Sequence, residues 1–233
     1  MFNFTSKTTV NKAFKVNELL KKIGADKIIK DDSKCISDIS LKYVLNEQTI
    51  GMKPDTIKEI YFFVINVSTM AIPIKFISAL DGIIKLQTVF ILNCGGNELI
   101  LTAYKKGVRK GSLKYFQTEW RAIRDSVNLP MVNTLDDLYK FVLNSINKYP
   151  PFEKETIAEY IVRYNSLKKL DFQIGKTRQA IEYEVESKKR FEYNDRLKGY
   201  EKNKQSLLNE KEYEYGKIKD EITGFIAGTH SGD

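Results

Sequence analysis

The stretch AYKKGVRKGSLKYFQTEW, residues 103–120, holds five cations and four aromatics, and no acid precedes Glu119. Phosphate recognition asks for several cations within about one Debye length (~10 Å at 0.1 M salt), on backbone that can approach closely. A β-ribbon with glycines at its turn meets that demand. Lys105, Lys106, Arg109 and Lys110 surround a turn bounded by Gly107 and Gly111, and Lys114, Arg121 and Arg124 follow. Lys105, Lys106, Arg109, Lys110, Lys114 and Arg121 are therefore candidate nucleic-acid contacts. Tyr104, Tyr115, Phe116 and Trp120 offer stacking faces wherever they point outward. Strand alternation sends part of that set into a core, and lysines at hairpin tips also guard sheet edges against pairing. Sequence alone leaves both readings open.

A metal-dependent nuclease of restriction-endonuclease type is the enzymatic alternative. It needs an acid and a Glu/Asp-x-Lys on adjacent strand ends, so that carboxylates hold Mg²⁺ beside a lysine. Glu59 opens one strand and Glu98 another, but the run YFFVINV has no acid or lysine, and Glu98-Leu99-Ile100 lacks the lysine. Asp55, Asp81 and Glu119 complete the acids that three dimensions could bring together. Glu59 and Glu98 are the catalytic candidates under this alternative, which alone calls for Mg²⁺; otherwise no metal or cofactor is expected. His230 is the only histidine and lies near the C-terminus, so histidine-based acid–base chemistry is not expected. Cys94-Gly95-Gly96-Asn97 lacks the following Gly-Lys-Ser/Thr of a phosphate loop and reads as a hairpin turn. Cys35 and Cys94 stand alone, without metal-ligand spacing, which suits a reducing, cytoplasmic setting.

The location of charge is more telling than its total. Net charge is +8, yet residues 151–233 balance 16 Lys and Arg against 16 Asp and Glu. The first 150 residues carry the whole excess, 22 bases against 14 acids, so an acidic partner should meet that part. Neither a spanning apolar run nor the apolar core of a signal peptide is present, so no membrane association is expected.

These residues need elements to position them. Lys12–Ile23 reads as a short amphipathic helix stopped by Gly24, followed by a polar loop around KDDSK and a turn at Gly51 and Pro54. Residues 57–67, IKEIYFFVINV, form a run too continuous for a half-exposed strand and read as central. A helix in IPIKFISALDGI follows, then strands at 86–93, 98–104 and 112–120 joined by glycine turns. The strand–helix–strand step allows a parallel crossover, and the later strands an antiparallel meander. Thr134 is a good N-cap for LDDLYKFVLNSI, with Asp136 and Asp137 in its first turn. The expectation is an α/β domain over 1–149, with a mixed sheet of about four strands and flanking helices.

Pro150-Pro151 marks a boundary, beyond which the chain becomes long, charged and helical in pattern. Ile157, Ile161, Tyr164, Leu167, Leu170 and Ile174 keep a helical seam, wide enough for a protein partner. Residues 150–226 read as a coiled-coil-like helical extension, packing on itself, on the domain or on a second copy, with Gly199-Tyr200 as a place to turn. Residues 227–233 are expected to be a disordered tail.

LKYVLNEQTIGM followed by IKEIYFFVINVS, and the later VESKKRFEYNDRLKGYEKNKQSLL with Asn194 and Leu197 at its centre, resemble the bacterial domain-of-unknown-function 4391 family. The resemblance covers most of the chain and brings no catalytic motif. It implies a context, since relatives tend to be encoded beside DNA helicases and methyltransferases of restriction or phage-defence type. The expected role is an accessory subunit of such a system. It would dock DNA or RNA through the basic ribbon, and a helicase-like or methyltransferase-like protein, or a second copy, through the seam.

Overall fold

The computed structural model describes residues 2–105, 113–123, 127–210 and 213. The chain divides into two units, Met1–Pro150 and Pro151–Asp233. Unit 1 is mixed α/β, and the described part of unit 2 is a helical extension.

Unit 1 is built on a seven-stranded sheet. Its strands are β2 (Thr9–Phe14), β3 (Ile36–Leu45), β4 (Ile60–Val67), β5 (Gln87–Cys94), β6 (Asn97–Ala103) and β7 (Tyr115–Gln117), in that spatial order, with β8 (Arg121–Ala122) pairing the start of β6. β4 and β5 are parallel, and the other pairings are antiparallel. A separate two-stranded sheet joins β1 (Phe2–Asn3) to β9 (Val127–Asn128). The helices are α1 (Val16–Lys22), α2 (Lys27–Asp32), α3 (Glu47–Ile50), α4 (Ile74–Ile83) and α5 (Leu135–Ile146).

β4 is central and covered on both faces, as its unbroken apolar run predicts, and α4 makes the crossover that sets β5 parallel beside it. One face carries Phe63, Ile65, Phe90, Leu92, Leu99 and Leu101 against Phe76, Ile77 and Leu80 of α4. On the other, Phe62 meets Phe2, and Tyr139 of α5 meets Tyr104 and Thr102. The β5–β6 turn runs through Gly95 and Gly96, both at positive φ (51° and 83°), which two-residue hairpins favour. Thr134 caps α5 by accepting from Asp137 N at 3.1 Å.

Four local expectations are corrected. Residues 9–14 are an edge strand, and helix begins only at Val16. Pairing with β3 takes up the strand's backbone, and Phe14 packs near Phe63. The segment around KDDSK includes α2, capped where Asp26 accepts from Ile29 N at 2.8 Å. Sheet size exceeds the expected four strands largely because β3 hides its alternation. Its register shifts between Ile36 and Asp38 and again between Leu41 and Tyr43, so the apolar period of two is broken twice. The strand expected over 112–120 shortens to Tyr115–Gln117, because Thr118 takes over the next ladder position. Its Oγ1 accepts from Ile100 N at 3.0 Å while its own N–H donates to Ile100 O at 2.9 Å.

Unit 2 is an antiparallel pair of helices, α6 (Ile157–Tyr183) and α7 (Ser187–Leu208). Asp171 accepts from Lys204 and Glu201 from Arg178, both at 2.7 Å, across the pair. The turn falls at Glu184–Glu186, and α7 passes straight through Gly199-Tyr200. A glycine inside a helix costs only about 1 kcal/mol, which side-chain packing along a long helix offsets. Thr156 and Glu159 form a capping box at the start of α6. The expected tail at 227–233 lies outside the described residues. Among the described residues no helix is long and apolar enough to cross a membrane.

Candidate functional site

The densest polar chemistry in unit 1 gathers where α4 ends. Asp81 lies in the last turn of α4 with its side chain fully buried. Its carboxylate accepts from Lys105 Nζ at 2.6 Å, from Tyr115 Oη at 2.9 Å and from the Thr88 hydroxyl. Lys105, two residues beyond β6, also donates to the carbonyl oxygens of Asp81, Ile84 and Leu86 at 3.3, 2.9 and 2.6 Å. Those carbonyls belong to the end of α4 and the segment leaving it, where acceptors lack helical partners. An ammonium there neutralises the negative end of the helix dipole and satisfies orphan carbonyls together.

A second layer extends the cluster to the opposite face. Thr102 donates to Thr88 O at 2.5 Å, and its hydroxyl meets Tyr139 Oη at 3.0 Å. Gln87 Nε2 donates to Ala103 O at 2.6 Å. Burial pushes the Lys105 ammonium below its ordinary value, opposed by the Asp81 carboxylate. Burial, then Asp81, pushes the Tyr115 phenol far up, so it remains a proton donor throughout the physiological range.

Lys105 is also the inner wall of an open basin of about 320 Å³, lined among others by Lys58, Glu59, Lys85, Gln87 and Tyr104. Lys58 precedes β4, and Lys85 lies between α4 and β5. Both are exposed. The basin thus sits at the N-terminal ends of the parallel pair, just beyond the end of β6.

The ribbon candidates separate. Lys105 is not on an exposed tip: its side chain is 14% exposed, and its donors are taken up by Asp81 and three carbonyls. Arg121 is 43% exposed and pairs with Glu98 at 3.3 Å. Lys114 is exposed. Lys106, Arg109, Lys110 and Arg124 lie outside the described residues, as does His230. Of the aromatics, Tyr104 and Phe116 are buried, and Tyr115 and Trp120 pack against the core.

Glu59 and Glu98 cannot share a metal ion. Glu59 precedes Ile60, which pairs with Gln87 at the start of β5, whereas Glu98 pairs with Asn93 near its end. Six residues of strand separate them by roughly 20 Å, against Mg–oxygen bonds of about 2 Å. Among the described residues no three or more His, Cys, Asp or Glu side chains are grouped so as to hold a metal.

On the helical seam, Ile157, Leu167 and Ile174 are buried, and Ile161, Tyr164 and Leu170 half-buried. Exposed apolar side chains of the pair include Val162, Phe172 and Leu208 along the helices and, at or near the α6–α7 turn, Tyr183, Val185 and Phe191, which are 74%, 96% and 74% exposed.

Sequence reasoning missed the centre of the cluster. Asp81 was visible only as one of several acids, but it follows Ile77 by four residues, on the apolar stripe of α4. An acid on that stripe must find a buried cation or donors, and that was the available signal.

Residues 2–203 match the family described as domain of unknown function (DUF4391), and the chain belongs to it. No curated protein and no solved structure matches the chain.

Proposed function

We propose that this protein is a docking subunit: unit 1 holds nucleic-acid phosphates, and the helical pair engages a protein partner. The observation that carries the reading is the basin lined by Lys58, Lys85 and Lys105 from three segments, just beyond the end of β6. Lys105 is held in its cage beside the Asp81 carboxylate, while Lys58, whose Nζ donates to Asp55 O at 2.8 Å, and Lys85 are exposed and supply the outward charge. Lys114, exposed just before β7, adds to the same charge. Backbone contact of this kind gives salt-sensitive affinity with little base readout. It suits an accessory of a bacterial DNA-processing or phage-defence system, working in the cytoplasm, where Cys35 and Cys94 as free thiols are at home.

The partner surface shifts from the seam to the α6–α7 turn. Tyr183, Val185 and Phe191 present apolar area there, and residues 182–192 carry four acids against three bases. That balance disfavours a polyanion at the turn and favours an apolar pocket on a helicase-like or methyltransferase-like protein.

Reversing Lys58, Lys85 and Lys114 together to Glu tests the phosphate reading, with filter binding to a duplex at several salt concentrations. Affinity at 50 mM salt is expected to fall at least tenfold and the log–log salt slope to flatten by roughly 0.9 per lost contact. Unchanged retention and slope would sink it.

A further inference from the structure

The groove between α1 and α2 has a composition that neither the basin nor the ribbon shares. It encloses about 760 Å³ and has Val16, Leu20 and Ile36 among its apolar lining and Lys21, Lys30 and Lys34 among its polar lining, with no acid. The absence of acid is not for want of acids in the segment. Residues 15–34 contain Glu18, Asp26, Asp31 and Asp32 as well as six lysines.

Three of these acids are committed away from the groove, and the fourth pairs with one of its lysines. Glu18 faces Lys15 at 3.7 Å, and Asp26 caps α2. Asp31 pairs with Lys34 at 2.7 Å. Asp32 reaches out of the segment to accept from Lys75 N and Phe76 N at 2.8 and 2.9 Å, serving as the cap that Pro73 cannot provide for α4. Lys21 and Lys30 are exposed and meet no carboxylate within ion-pair distance among the described residues. Both lie in the last turns of their helices and favour the dipole there. That service uses their charge but leaves their ammonium donors turned to water.

We infer that this groove is a cradle for single-stranded nucleic acid, with phosphates on Lys21 and Lys30 and a base or sugar on the apolar wall. The chemistry favours such a ligand because a single strand sets an apolar ring beside every phosphate. An acidic peptide brings carboxylates with little apolar surface, and a duplex keeps its bases stacked inside. No aromatic ring lines the groove, so base contact is apolar and tolerant of sequence. The inference rests on the reading of unit 1 as a nucleic-acid binder, but it assigns single strands to a site remote in sequence from the ribbon.

Fluorescence anisotropy with a 12-nucleotide single strand, a duplex and a 12-residue Glu-rich peptide tests it on the full chain. The double variant Lys21→Ser/Lys30→Ser is expected to lose about tenfold in single-strand affinity. Its log–log salt slope should flatten by about 1.4, from 0.7 per contact, with duplex binding unchanged. Circular dichroism should match the unaltered protein and the urea midpoint should fall only slightly, since both side chains are exposed and give up only a helix-end charge. Unchanged single-strand affinity and slope in a protein that still binds duplex would overturn the cradle alone. An equal loss for the peptide would overturn its specificity for nucleic acid. No binding of any nucleic acid by the unaltered chain would remove the functional reading as well.

Discussion

Among the described residues each unit buries one ion pair, and the two pairs solve the same problem differently. In unit 1 the Lys105 ammonium sits among the Asp81 carboxylate and three carbonyl oxygens around the end of α4. In unit 2 the Arg163 guanidinium, 2% exposed, makes two parallel 2.7 Å bonds to Glu155 and lies 3.7 Å above the Phe152 ring. It also reaches Leu207 O near the end of α7, at 3.4 Å. A compact ammonium suits acceptors that converge on a point, as carbonyls do where a helix stops. A planar fork suits one carboxylate edge and an aromatic face. Both pairs tie a non-helical segment to a helix end, where backbone groups would otherwise be orphaned. The cation type follows from the shape of the acceptors, and the Lys105 ammonium is surrounded by acceptors of the protein itself.

That contrast can be broken first at Asp81. Asp81→Ala leaves a buried ammonium without its counter-charge and should cost about 3–5 kcal/mol in urea denaturation. A loss under about 1 kcal/mol would mean that the carbonyl cage alone suffices. Next, Arg163→Lys keeps the charge of unit 2 but loses one arm of the fork and the stacking on Phe152. It should cost about 2 kcal/mol in the same measurement. A neutral outcome would erase the distinction drawn between the two pairs. The smallest effects separate the glycines. Gly96→Ala, at φ 83°, should cost about 1 kcal/mol, whereas Gly199→Ala, inside α7 with open space around a new Cβ, should gain about 0.5–1 kcal/mol. Thermal melts of the two variants should therefore move in opposite directions.

Much of the architecture was legible because its signals are local. The run in β4, the Gly95-Gly96 turn and the Thr134 cap each specify their element within a few residues. β3 escaped because two register shifts break its alternation, and β2 because Phe14 fits a helical stripe as well as an edge strand. At the candidate site, Lys105 was recognised as chemically important, but its direction was not. A lysine beside a glycine turn looks like a surface cation until the strand's end places it over the carbonyls of α4.

By itself the amino-acid order determined the balance of the two halves: a positive excess confined to residues 1–150, and a neutral helical extension after them. It also determined which segments are strand and which helix wherever apolar period and capping agree. Only the tertiary structure decided which charges remain available. Asp81 and Lys105 are 24 residues apart, Asp32 and the start of α4 more than 40, and such pairings depend on how elements pack rather than on local spacing. Charge is a property of composition, but its neutralisation is a property of distance in space, and Coulomb attraction at a few ångströms depends on the fold that sets those distances.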